Sequence, residues 1–140
     1  CHDWIPTGST PWNQAHVRSA LTGAKNAGFW NVKVVADGDY EIEIRRWAKE
    51  TEKTLDAALK PGANVPGVTP YRARPGKALR IVKAEIEIGG QKVVSNSISP
   101  GTHDVTFKLP LKAGRTRLSA RFISEDGTVY GAYYAYVRKN

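Results

Sequence analysis

Apolar and polar residues alternate along much of this chain, with the period of two that belongs to strands. Between Gly28 and Trp47 the apolar set is Trp30, Val32 and Val34, then Tyr40, Ile42 and Ile44. A second row runs through Val82, Ala84, Ile86 and Ile88, with Lys83, Glu85 and Glu87 between. A third holds Val105, Phe107, Leu109 and Leu111. Each row describes a strand with one buried face and one wet face. Glycine-containing turn signals separate them at Asp37-Gly38, Gly89-Gly90, Ala113-Gly114 and Asp126-Gly127.

Loop parity extends this to pairing. With Ala36, Asp37 and Gly38 as the loop, Val34 stands opposite Tyr40, Val32 opposite Ile42 and Trp30 opposite Ile44. A shorter Asp37-Gly38 loop would set Val34 against Glu41 and spoil the buried face. The expectation is therefore a hairpin over Gly28–Trp47, with Gly38 left-handed in a bulged turn and Lys33 paired with Glu41 outside. Gly89-Gly90 predicts a tight turn into a strand over Val93–Ile98. The loop Lys112–Arg115 sets Leu109 opposite Leu118 and Phe107 opposite Ala120. The loop Glu125–Gly127 sets Phe122 opposite Tyr130 and Leu118 opposite Tyr134. The predicted fold class is all-β: an antiparallel β-sandwich of about seven to nine strands with one or two short peripheral helices. Trp30, Tyr40, Ile86, Phe107, Leu109, Leu118, Phe122, Tyr130 and Tyr134 supply much of its core.

Helix is confined to two candidates. Asn13–Ala20 suits a short helix after Pro11 and Trp12, and Lys49–Leu59 has helix-forming composition but an apolar stripe of only Leu55, Ala58 and Leu59. The remainder of residues 1–27 reads as irregular, and Pro61, Gly62, Pro66, Gly67, Pro70, Pro75 and Gly76 punctuate a long loop.

The chain has 140 residues, which suits one domain, and a formal net charge of +8. Such a surplus favours an anionic partner or a solvated basic surface. Nucleic acid is disfavoured, because no helix carries a basic stripe and no zinc-finger or RNA-recognition signature is present. The single Cys excludes an internal disulfide and, with three scattered His, argues against a structural zinc site. No apolar run approaches the ~20 residues of a membrane helix. No Gly-x-Ser-x-Gly elbow, phosphate-binding glycine loop or H-E-x-x-H occurs, so no catalytic set is assigned. The chain lacks methionine and opens on Cys1, which leads to the expectation of a piece of a longer protein.

Several segments taken in order carry a family resemblance. Cys1-His2-Asp3-Trp4, Pro11-Trp12-Asn13-Gln14, Gly28-Phe29-Trp30-Asn31-Val32, Tyr40 and Arg45-Arg46-Trp47 resemble the C-terminal region of bacterial arylsulfatase-like proteins. These belong to the formylglycine-dependent sulfatases of the alkaline-phosphatase-like superfamily. The closing runs Leu109–Leu118 and Tyr130–Val137 are similar to their terminal strands. The resemblance implies that residues 1–140 form a non-catalytic accessory β-domain, with residues 1–27 leading from an upstream catalytic domain of the same chain. It implies a parent that hydrolyses sulfate esters using a formylglycine and a divalent cation, usually calcium, and a periplasmic or secreted location. The Cys/Ser-x-Pro-x-Arg motif is absent here; Ser9-Thr10-Pro11-Trp12 comes nearest, with Asn13 where Arg is required. Neither catalytic nor metal residues are therefore expected within the fragment.

The candidate substrate-binding or domain-interface residues follow from these segments. His2, Asp3 and Trp4 line the junction with the catalytic domain, or fray. Trp12, Asn13 and Gln14 combine an aromatic plate with two amides, a set for a sugar ring, or begin a helix whose Trp packs on the sheet. Arg45 and Arg46 present guanidinium groups to a sulfate or uronate, or stack on an aromatic and bond loop carbonyls. By alternation Arg46 emerges at the sandwich rim and Trp47 shares the outer side with Arg45. Arg72 and Arg74 cap the same end, and His103 is a turn residue. Tyr133 and Tyr136 fall on opposite faces of the last strand, which predicts an exposed aromatic face. A rival reading is an autonomous carbohydrate-binding sandwich module.

Overall fold

A computed structural model of the chain describes residues 3–7, 14–19, 27–64, 66–68 and 73–140. Among the described residues nine strands form two antiparallel sheets: β1 (Trp4–Pro6), β2 (Gly28–Val34), β3 (Gly38–Arg45), β4 (Ile81–Ile88), β5 (Gln91–Ser95), β6 (Val105–Leu111), β7 (Gly114–Ser124), β8 (Val129–Gly131) and β9 (Tyr134–Lys139). The larger sheet has the order β1-β2-β7-β4-β5, with β8 also on β7; the smaller has the order β6-β3-β9. Val34, Ile86, Ile88, Leu118 and Phe122 from the larger sheet share one core with Tyr40, Ile42, Phe107 and Leu109 from the smaller. The protein is thus an antiparallel β-sandwich. Its helical content among the described residues is α1 (Gln14–Ser19) and one 3₁₀ turn at Lys49–Thr51.

The pairing differs from the parity expectation. Gly28–Trp47 is not a hairpin: β2 pairs with β1 and β7, whereas β3 pairs with β6 and β9. The chain arches from one sheet to the facing one at residues 35–37. Lys33 consequently stands opposite Arg115 rather than Glu41, and Glu41 lies between Lys108 and Arg138. Gly38 opens β3 instead of bulging a turn. A second arch joins β6 to β7, so Leu109 faces Tyr40 and Phe107 faces Ile42, while Leu118 faces Trp30 and Ile88. A third follows β8: Phe122 does face Tyr130, but Tyr134 pairs with Arg45, not Leu118. The physical reason is common to all three. Alternation fixes which side chains point inward, and a chain crossing over the core keeps both rows inward just as a hairpin does.

The turn at Gly89-Gly90 forms as expected, with Ile88 facing Gln91, and the returning strand covers Gln91–Ser95. The register of β4 on β7 shifts between Ile81 and Lys83, which brings Ile81 into the core while Val82 stays half-buried. The first two arches are tied together: Asp37 accepts from the Ala113 amide (2.7 Å) and from Lys112 Nζ (2.8 Å). Tyr40 donates to the Ala36 carbonyl at 2.8 Å.

The helix expected over Lys49–Leu59 stops after its 3₁₀ turn, where Glu52 takes a left-handed φ of 50°. Beyond it the chain becomes a strap across one end of the sandwich, with Leu55 buried and its amide donating to the Thr102 carbonyl at 2.8 Å. Of the expected core, Trp30 and Tyr134 are half-buried, and the others are buried.

Candidate functional site

The structure draws the Arg45-Arg46-Trp47 segment into the interior. Arg46 continues the inward row of Tyr40, Ile42 and Ile44, and it is 2% exposed rather than emerging at the rim. Its Nη1 donates to the carbonyls of Leu55 and Ala57, both at 3.1 Å, and its Nη2 to that of Lys77 at 2.7 Å. Its guanidinium lies 4.4 Å over the Trp47 ring. Burial lowers its pKa to about 10, against the opposing influence of Tyr133, Tyr130 and Asp56. Arg46 therefore stays charged at neutral pH while clamping the strap to the sheet end. Trp47 is 6% exposed, not on an outer side. Arg45 is held by Glu43 and by Asp104, the latter at 2.9 Å. These side chains stack and bond within the domain, largely away from solvent.

Trp4 is 8% exposed on β1, edge-on to Tyr133 at 5.4 Å and 6.5 Å from Trp30. Asp3 is exposed. Gln14 opens α1. His2, Trp12, Asn13 and Arg72 lie outside the described residues. Arg74 is exposed, and its carbonyl accepts from Arg18 Nη2 at 2.8 Å. Arg18 is an unforeseen clamp: buried, it also donates to the Lys60 carbonyl at 3.1 Å. His103 is exposed.

The expected aromatic face is absent among the described residues. Tyr133 is buried, and Tyr136 is half-buried, with its hydroxyl accepting from the Lys49 amide at 3.0 Å. Of the exposed large apolar residues, Ile5, Val94 and Val137 lie on three different strands, and Val35 and Val68 lie between elements.

A different surface stands out. Because Trp30, Val32 and Val34 turn inward on β2, the residues between them turn out: Phe29, Asn31 and Lys33. On β7 the outward set is Arg115, Arg117, Ser119 and Arg121 by the same alternation. The register sets Lys33 against Arg115, Asn31 against Arg117 and Phe29 against Ser119. Arg117 leans over Phe29, with Cζ 4.6 Å from the ring centroid. Lys33, Asn31, Arg115 and Arg117 are exposed. Among the described residues, none of these three cations makes an ion pair.

The neighbouring surface carries acids: exposed Glu87 on β4 stands opposite Ser119, and the others are paired. Glu85 on β4 binds Arg121 and, at 3.1 Å, Lys92. Burial pushes its carboxyl up, but these two cations outweigh that and leave its pKa lowered. On the smaller sheet Glu41 takes Arg138 at 3.0 Å and Lys108 at 3.5 Å. Like charges directly opposite on a sheet are destabilising, so the Lys33–Arg115 pair is not explained by fold stability. Sequence reasoning missed the surface because it gave Lys33 an acidic partner. The outward phase of Arg115 and Arg117 was readable, but their adjacency to β2 was not.

A cleft of about 410 Å³ lies at the strap, lined by residues that include Leu55, Asp56, Arg80 and Ile98. Its charged groups are engaged: Asp56 accepts from Thr54 and from the Gly101 amide, and Arg80 pairs with Glu125 at 3.0 Å. Among the described residues no helix is long and apolar enough to cross a membrane.

No family model matches this chain, and no curated protein matches it at a significant level. Among solved structures the chain is similar to "CBM35 from Cellvibrio japonicus Abf62", with a TM-score of 0.44 and 12% identity, over 99% of this chain and 92% of that one.

Proposed function

We propose that this protein is a non-catalytic binding domain that takes an acidic carbohydrate on the outer face of its larger sheet. The observation that carries the reading is the group Lys33, Arg115 and Arg117, adjacent on two paired strands and without a carboxylate partner among the described residues. Exposed Asn31 adds an amide beside them, a group that recognises sugar hydroxyls. A nucleic acid fits less well. Sequence-tolerant strand binding relies on open aromatic rings for base stacking, and the ring of Phe29 is covered by Arg117.

Titration of the protein with heparin and with neutral dextran tests this. Heparin should bind, more weakly as salt rises, and dextran should not. The double variant Lys33→Glu/Arg117→Glu should lose binding, whereas Lys53→Glu/Lys60→Glu, with the same change of net charge, should keep it. Equal loss in both, or no binding by the unmodified protein, overturns the reading. The sulfatase-like parent remains part of the proposal: a face for sulfated or uronate sugars suits an accessory domain beside a sulfate-ester hydrolase. Calcium, formylglycine and an exported location would belong to that parent. A Cys/Ser-x-Pro-x-Arg run in the same gene upstream of Cys1 tests it.

A further inference from the structure

The basic surface has ends. Along β7, Arg121 lies beyond Ser119 but is committed to Glu85. At the other end, Lys112 is committed to Asp37 at 2.8 Å. Toward β5, Lys92 is committed to Glu85 at 3.1 Å. Within the β2–β7 ladder, the cations without an ion pair among the described residues are therefore Lys33, Arg115 and Arg117. Neighbouring strands are about 4.8 Å apart and alternate residues along a strand about 6.7 Å apart. Lys33 and Arg115 thus share one position across the strands, and Arg117 occupies a second, one pleat away.

The two positions differ in character. Lys33 and Arg115 are long, exposed side chains with no ion pair among the described residues, and they supply mobile charge. Arg117 rests on Phe29, and its partner across the strand is Asn31 rather than a second cation. A guanidinium resting over a ring still has N–H donors at its edges, and such an edge matches two oxygens of one anion.

Resting on the function proposed above, we infer that the site recognises a short unit carrying two neighbouring anionic groups: one grips Arg117 through paired oxygens, and the other sits between Lys33 and Arg115. The recognised unit is a doubly charged di- to tetrasaccharide, not an extended polyanion track. Arg117 is the specificity-determining residue, and its geometry matters beyond its charge. Lys33 and Arg115 tolerate exchange of one cation for another.

Size-defined heparin oligosaccharides test this by calorimetry on the full chain. Affinity per site should level off by the tetrasaccharide, changing less than about threefold to the octasaccharide. Arg117→Lys should weaken tetrasaccharide binding about tenfold, and Phe29→Leu should weaken it several-fold. Lys33→Arg and Arg115→Lys should stay within about twofold of the unmodified protein. All are exposed or half-buried positions, and unchanged thermal unfolding confirms that each variant is folded. Affinity that climbs more than tenfold from tetra- to octasaccharide, or equal effects of all three cation exchanges, overturns the inference while leaving the function standing. Absence of binding to any heparin species overturns both.

Discussion

Replacing Arg46 by methionine keeps most of the buried stem and removes the guanidinium. Three carbonyls, of Leu55, Ala57 and Lys77, then lose their donor. A buried acceptor left unsatisfied costs about 1–3 kcal/mol. The strap can admit water to some of them, so the three do not add in full. Against this stands a relief: burial lowers the Arg46 pKa from 12.5 to about 10, which corresponds to about 3 kcal/mol of penalty on the charged form. Loss of the stack on Trp47 removes about 1 kcal/mol more. The expected net destabilisation is about 2–4 kcal/mol. Urea unfolding followed by tryptophan fluorescence measures it, and amide exchange localises it. The amides of Leu55 and Leu79, bonded to Thr102 and Asp56, should lose protection first. Arg46→Lys should fall between, because one ammonium cannot span carbonyls from both sides of the strap. A methionine variant within about 0.5 kcal/mol of the unmodified protein, with Leu55 and Leu79 still protected, would refute the clamp.

Gly28→Ala should loosen β1: a Cβ there would lie 2.4 Å from the Trp4 ring and 2.6 Å from the Ile5 carbonyl. The expected loss is about 1–3 kcal/mol, with a red shift in Trp4 emission. Tyr40→Phe should cost about 0.5–1.5 kcal/mol through the lost bond to Ala36, and unchanged unfolding would discount that bond. Asp126 has its pKa lowered to about 2 by the Ser124 hydroxyl, with further lowering by the Thr128 amide. A carboxyl depressed on folding stabilises above its unfolded value of 3.8 and loses that contribution as pH falls through about 2. Its carboxyl NMR titration should have its midpoint near 2, and a midpoint near 4 would remove the turn from the acid-stability account.

The sandwich was legible in the sequence because burial has a local signature. Ile86, Phe107, Leu109, Leu118, Phe122 and Tyr130 are all buried as their alternation requires. Partner choice has no such signature. Val34 and Tyr40 both point into the core whether residues 35–37 fold back on one sheet or cross to the other. The turns that did fold as expected, Gly89-Gly90 and the one before Tyr130, lie where the chain reverses within one sheet. Arg46 shows a second limit. Its inward phase followed from Tyr40, Ile42 and Ile44, yet a buried cation is costly unless hydrogen-bonded. That cost argues for the rim until the strap and its three carbonyls are known, and the strap comes from a segment whose composition suggested helix.

The same ambiguity decided how the surface was read. In a hairpin Lys33 has Glu41 as neighbour, and the pair is an ordinary neutral contact. In the sandwich Glu41 instead binds Lys108 and Arg138 on the opposite sheet, and Lys33 meets Arg115. One exchange of strand partner turns a balanced pair into two adjacent cations. The +8 charge is therefore not evenly spread. Acids are placed between bases on β3 and β4, at Glu41, Glu43 and Glu85, and none faces Lys33, Arg115 or Arg117 across the β2–β7 ladder. A solvated surface with no further role gains nothing by collecting its like charges on two paired strands. An anion bound there removes that repulsion, so ligand binding and stability are coupled. The unmodified protein should unfold at higher temperature with heparin present, and Lys33→Glu/Arg117→Glu should show no such shift.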